Sequence, residues 1–217
     1  MKRRLATLLA ITLCLPLVQR PVLAAVVLNP LSHCGTERWH IKTLDDPGVN
    51  HIVQTPVSTT VTALRALAVP AGYSRNNDTA RYAPVEFNKY TVTARIMGFK
   101  EESDRDFHVE IADPQSGNTM IAEIPDPGCS TVVESGHQSQ IAAIRSAFIA
   151  CFGQPPANST FKHLTGSTTM RLTGVGFFDY VHSPPQIGVA SNAIELHPLL
   201  AMQPAGGACS SGHAKHS

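Results

Sequence analysis

The chain of 217 residues contains a single tryptophan, and aromatic residues make up only 6% of it. Proteins that hold single-stranded nucleic acid stack bases on rings set in a basic groove. Here rings are scarce, and 17 Lys and Arg stand against 16 Asp and Glu. That balance gives no broad positive field for non-specific nucleic-acid binding. There is no Cys-x-x-Cys pair, no Cys/His spacing of a zinc site, no His-Glu-x-x-His helix and no Gly-x-Ser-x-Gly elbow. Their absence removes zinc ribbons, thiol oxidoreductases, zinc proteases of that type and serine hydrolases built on that turn. Gly174 and Gly176 precede no helix start, so they form no phosphate loop.

Long apolar runs are also missing except at the start. Lys2, Arg3 and Arg4 precede an apolar stretch from Leu5 to Val18, and Val22-Leu23-Ala24 offers a cleavage site. The stretch is shorter than the roughly 20 residues of a membrane span. Residues 1–24 therefore read as an export signal, leaving a slightly acidic chain of roughly 190 residues with no stable membrane span, the size of one domain with additions. A periplasmic or secreted location follows. Cys14 follows Leu13, where a lipoprotein signal needs a small residue, so no lipid anchor is expected.

Export makes disulfides the natural state of Cys34, Cys129, Cys151 and Cys209. Cys34 and Cys129 lie beside turn residues at strand ends and are expected to pair. Cys151 falls on the apolar face of a helix, where a buried thiol is one reading, and its pairing with Cys209 is left open.

After the signal, residues 25–84 read as an N-terminal extension. Within it, Glu37 to Leu44 reads as a strand stopped by Asp45-Asp46-Pro47-Gly48, and Ser58 or Thr59 reads as the cap of a short helix. Residues 85–202 are more regular. Strict alternation marks strands over Tyr90–Ile96, Phe107–Ile111, Thr119–Ile124, Met170–Tyr180 and Ile194–Leu199, the last shortened by Pro198. Ile141, Ile144, Phe148 and Cys151 recur at helical spacing. Residues 203–217 read as a disordered tail. Three strands, a helix and two strands, with glycines that bend the fourth strand, make the layout of a small five-stranded OB-like barrel. An open α+β sheet with one helix is the alternative.

Several short motifs run through this layout: Cys34-Gly35-Thr36-Glu37-Arg38-Trp39 with Lys42-Thr43, Asp104-x-Asp106-Phe107-His108, Thr119 to Cys129, Thr173 to Asp179, and Gly188 to Pro198. In these residues the chain resembles an uncharacterised family of exported bacterial proteins with an OB-like domain, sometimes found beside nuclease modules. The resemblance implies the barrel and export, and brings no activity with it.

If Phe107, Val109 and Ile111 face the barrel interior, then Asp106, His108 and Glu110 face outward, as does Glu123 on the next strand. OB barrels commonly bind ligands on that outer face. Asp104, Asp106, His108, Glu123, His182 and His197 are the candidate ligand-binding residues, with Glu101 and Glu102 in the adjoining loop. Asp106, His108 and Glu123 form the candidate metal set, since carboxylates spaced with a histidine suit a divalent ion. No obligate cofactor is expected. The competing interpretation is a solvated strand face with pairs such as His108 to Glu123. Lys42 reads as a surface charge and Trp39 as an anchor of the extension on the barrel. The function expected is an exported binding or accessory module, with a peptide, sugar or cation favoured over nucleic acid. A metal-dependent, nuclease-like hydrolase and a structural envelope protein are the alternatives.

Overall fold

Alternation of apolar and polar residues over β2 (Asn88–Glu101), β3 (Phe107–Ala112) and β4 (Thr119–Ile124) lays down an antiparallel meander. The computed structural model describes residues 34–157, 160–165, 168–180, 188–206 and 209. Two more strands, β6 (Thr169–Phe178) and β7 (Ile194–Pro204), pair antiparallel with each other. β7 pairs parallel with β4, and β6 returns to pair with the first half of β2. The circuit β2-β3-β4-β7-β6-β2 closes, which makes a five-stranded, mixed, OB-like barrel.

β2 serves two neighbours because it bends. Its residues Lys89–Arg95 pair with β6 and Arg95–Glu101 pair with β3, with a register shift between Ile96 and Gly98. β6 bends at a second irregularity around Gly174 and Gly176. A Cβ at Gly174 would lie 2.8 Å from the Pro198 carbonyl oxygen, so only glycine lets β7 approach this closely.

The interior is filled by the inward residues of each strand together with Phe99, Phe107 and Phe148, all fully buried. Each such ring contributes roughly 1.5–3 kcal/mol by leaving water. Phe148 comes from α4 (Gln138–Phe152), which lies between β4 and β6 in sequence and buries Ile141, Ile144 and Phe148. α3 (Ser130–Glu134) precedes it, and a two-residue strand β5 (Lys162–His163) pairs with Gly98 and Phe99 of β2. Cys34–Cys129 is a disulfide, as expected. Cys151 is not a free thiol: it is bonded to Cys209.

Residues 34–87 wrap the barrel, and several expectations about them need correction. Glu37 to Leu44 is not a strand. It contains a short helix, α1 (Trp39–Thr43), bracketed by left-handed Arg38 and Leu44. Trp39, Ile41, Lys42, Thr43 and Leu44 are all buried, a pattern with no period of two. β1 (Val53–Thr59) was not legible. It is an exposed strand containing Pro56, parallel to β2, and it shows no burial alternation. α2 (Val61–Arg65) is capped by Thr60, whose Oγ1 accepts from the Ala63 N–H at 3.0 Å, and not by Ser58 or Thr59. β7 is not cut short by Pro198. It runs through a cis His197–Pro198 peptide to Pro204, so Gln203 and Pro204 belong to the sheet and not to a tail.

Two buried ion pairs fasten the wrap. The Arg38 guanidinium donates to both Glu86 carboxylate oxygens at 2.6 and 2.7 Å. Arg81 Nε donates to Asp46 Oδ1 at 3.0 Å, with a second bond from Nη2 to Oδ2. Leu44, Ile52, Val175 and Leu200 form a second apolar cluster between the wrap and the outside of β6 and β7.

Candidate functional site

Side chains alternate across a strand, so the residues between the core positions lie on the outer face of β3, β4 and β7. His108 and Glu110 come from β3, Glu123 from β4, and Glu195 and His197 from β7. Asp106 lies one residue before β3. The expectation of a solvated comb fails here. Asp106, His108, Glu110, Glu123, Glu195 and His197 are all buried. The face is roofed by α1 and by chain on either side of residues 181–187. Lys42, Asp179, Tyr180 and Val189 stand over His108, Glu123 and Glu195. At Gly188, with φ of 87°, a Cβ would lie 2.8 Å from Glu110 Cδ, so the roof comes down on β3 through a glycine backbone.

Acids and imidazoles alternate in a line across the face. Asp106 Oδ2 lies 3.2 Å from His197 Nε2, and His197 Nδ1 lies 3.1 Å from Glu123 Oε2. Glu123 Oε1 is 2.6 Å from His108 Nδ1, which is 3.6 Å from Glu102 Oε1. Glu102 Oε1 receives Lys100 Nζ at 2.7 Å. Glu195 Oε2 approaches His197 Nδ1 at 3.7 Å. The contacts around His197 are close without being aligned as hydrogen bonds. Both oxygens of Asp106, both ring nitrogens of His197 and Glu195 Oε2 are buried without a hydrogen-bond partner.

Burial and neighbouring charges set the protonation of this line. Burial alone would lower His197, but the close carboxyl groups of Asp106, Glu123 and Glu195 hold it well above the usual imidazole range. Burial likewise opposes the charge on His108, and Glu123 reverses it upward. Glu123 is pushed up by burial, and His108 and His197 together bring it well below the usual carboxylate range. Glu195 is pushed up to about 8 by burial, then by Asp179 and Glu123. Asp104 is pushed up to about 7 by burial, then by Asp106 and Glu123. Asp106 is raised mainly by burial. Lys42 is not a surface charge. It is buried, ion-paired to Asp179 at 3.5 Å, and held well above its usual range because Asp179, then Glu123, Glu195 and Asp106, outweigh burial.

Beneath the roof is a cavity of about 130 Å³, lined by Lys42, Glu102, His108, Glu123, Asp179 and Glu195, with Tyr180 and Val189. Lys42, Glu102 and Asp179 also line an adjoining space of about 310 Å³, walled by residues 34–37, Trp39, Ser103 and Asp104. Together they make a two-lobed site whose linings are rich in acceptors and poor in cations. Trp39 is buried as expected, yet its indole Nε1 has no hydrogen-bond acceptor.

The candidate residues separate accordingly. His108 and Glu123 line the inner lobe and Asp104 the outer. Asp106 and His197 belong to the buried line behind Glu123. His182 lies outside the described residues. The expected metal set of Asp106, His108 and Glu123 does not converge as such: Glu123 is shared between one group with Glu102 and His108 and another with Asp106 and His197. Of the other lining residues, Lys42 read as a surface charge, and Asp179 and Glu195 were not among the candidate site residues. Glu195 was the most readable of the three, since it alternates with Ile194 and Leu196 two positions from His197.

No family model matches the sequence, and no curated protein or solved structure matches it. Fold and site together define the class: an OB-like barrel whose outer β3–β4–β7 face is covered by α1 and borders two adjoining, partly open acidic clefts.

Proposed function

We propose that this chain is an exported binding module, and that its ligand is a small molecule rich in hydroxyl or ammonium donors seated in the two-lobed cavity. One observation carries the proposal: the inner lobe sets the carboxylates of Glu102, Glu123 and Asp179, with the carboxyl of Glu195, against one ammonium, Lys42, and one imidazole, His108. A guest must supply donors to such a wall, because carboxylates accept hydrogen bonds and buried acceptors are costly when left alone. The two partly open lobes, of about 130 and 310 Å³, suit a guest of about monosaccharide size. Two disulfides are the expected chemistry of an exported chain. Among the described residues no helix is long and apolar enough to cross a membrane.

The hydrolase alternative is weaker. Its second histidine, His197, is fully buried and lines neither lobe, which leaves only His108, between Glu123 and Glu102, placed to exchange a proton with a guest.

Trp39 is the only tryptophan and lines the outer lobe, so its fluorescence reports occupancy directly. In metal-free buffer, titration with glucosamine is expected to give a saturable change, and gluconate none. A response to gluconate with none to glucosamine, or no response to either, would overturn the proposal.

A further inference from the structure

The geometry points to a divalent metal site in the inner lobe, with Glu102, His108 and Glu123 as ligands and Glu195 facing the same ion. The inference rests on reading the cavity as a binding site, and it names a second occupant there. Glu102 Oε1 and His108 Nδ1 are 3.6 Å apart, His108 Nδ1 and Glu123 Oε1 are 2.6 Å apart, and all three atoms lie within 4.8 Å of one another. Ligand atoms about 2.0–2.2 Å from a tetrahedral ion stand roughly 3.3–3.5 Å from each other. An ion therefore needs the His108–Glu123 contact to open by less than about 1 Å.

An independent observation points to the same place. Glu195 lines this lobe, is 3% exposed, and its Oε2 has no hydrogen-bond partner. Its charged neighbour is His197 Nδ1 at 3.7 Å, too far for a hydrogen bond, so this buried oxygen still has room for a cation or a donor. Lys42 is the one ammonium lining this lobe, and its nearest carboxylate is Asp179.

The second cluster, Asp106, Glu123 and His197, is not an equivalent site. Its three residues are fully or almost fully buried, and neither Asp106 nor His197 lines either lobe, so an ion has no way in from the cavity. That line instead backs the site. His197 steadies Glu123 from its far oxygen, Asp106 holds the other side of His197, and Lys100 steadies Glu102. Metal ligands are commonly oriented by such outer contacts. His197 and Asp106 are thus positioning residues. One imidazole nitrogen with carboxylate oxygens suits a first-row divalent ion better than Mg²⁺, which keeps much of its water.

Zn²⁺ and Mn²⁺ are the probes, titrated calorimetrically into chelator-stripped, desalted full chain, with Mg²⁺ for comparison. One Zn²⁺ or Mn²⁺ is expected to bind per chain, to raise Tm, and to outcompete Mg²⁺. Glu102→Gln and His108→Gln are each expected to weaken binding about tenfold or more. Glu102 is only half-buried and lies at the barrel's edge, so its variant keeps the core intact. His197→Gln is expected to weaken affinity while leaving one ion per chain. Absence of Zn²⁺ and Mn²⁺ binding to the unaltered chain, or unchanged affinity in both ligand variants, overturns the metal site. Glucosamine titration of the same stripped protein separates the two readings. A fluorescence response without metal binding removes only the metal site, whereas silence in both removes the binding module as well.

Discussion

Arg38 spends its whole guanidinium inside the protein. Nε donates to the Asn77 carbonyl, Nη1 to Glu86 Oε1 and the Phe178 carbonyl, and Nη2 to the Ala80 carbonyl and Glu86 Oε2. That uses every N–H donor the group has. Glu86 in turn accepts from the backbone N–H groups of Phe178 and Tyr82. Lysine cannot reproduce this fork. Arg38→Met strands a buried carboxylate, and urea denaturation is expected to show a loss of about 3–5 kcal/mol. A loss below about 1 kcal/mol would place the pair among exposed ion pairs that contribute little. At this scale the sequence showed which residue types crowd together and hid their solvation. His108 and Glu123 were readable as a cross-strand pair, and they are one, at 2.6 Å. Their burial was not readable, because it depends on Lys42, Asp179 and Val189, which arrive from remote parts of the chain.

Elements whose two faces meet different surroundings were the legible ones. Each barrel strand has a core side and an outer side, so period two survived in the residues even where the outer side is covered. The glycines of β6 announced its bend for a similar reason: a missing side chain is itself visible. α1 was misread because it is buried on nearly every side, which erases periodicity. β1 was missed because it is exposed on both faces, which erases it as thoroughly. β7 outran the stop signal at Pro198 because its pairing with β6 shifts register between Leu196 and Leu199 and then resumes as far as Pro204. The roof over β3 gives the test at this scale. Gly188→Ala puts a methyl group against Glu110 in a left-handed conformation, and is expected to cost about 1–2 kcal/mol. Thermal unfolding reads the cost. Glucosamine titration is expected to lose affinity in the same variant, because the displaced backbone adjoins Val189 of the inner lobe.

For the whole molecule, two covalent links hold parts of the chain that are distant in sequence. Cys34–Cys129 closes a separation of 95 residues and Cys151–Cys209 one of 58. Loops of that length restrict the unfolded chain enough for each bond to contribute about 4 kcal/mol. Replacing both cysteines of the first pair by alanine is expected to lower stability by about that amount, measured by denaturant unfolding. It is also expected to weaken glucosamine binding, since Cys34 begins the wall of the outer lobe. The corresponding replacement of Cys151 and Cys209 should lower stability and spare affinity. Equal loss of affinity in both would show that the staple acts through global stability alone. The first pair was readable because both cysteines stand beside turns. The second was not, because helical spacing explains Cys151 without any partner.

α1, near the start of the described chain, rests on β7, near its end. The cavity lies where these two meet, so the molecule is laced shut at the place where it would act. No truncated piece holds half a site: removing β7 takes away Glu195, and removing α1 takes away Lys42 and Trp39. Synthesis from one end cannot finish the pocket progressively either, since its last wall is made long after its first. The site therefore needs both ends of the stretch from Cys34 to Glu195, which carries every residue of its lining.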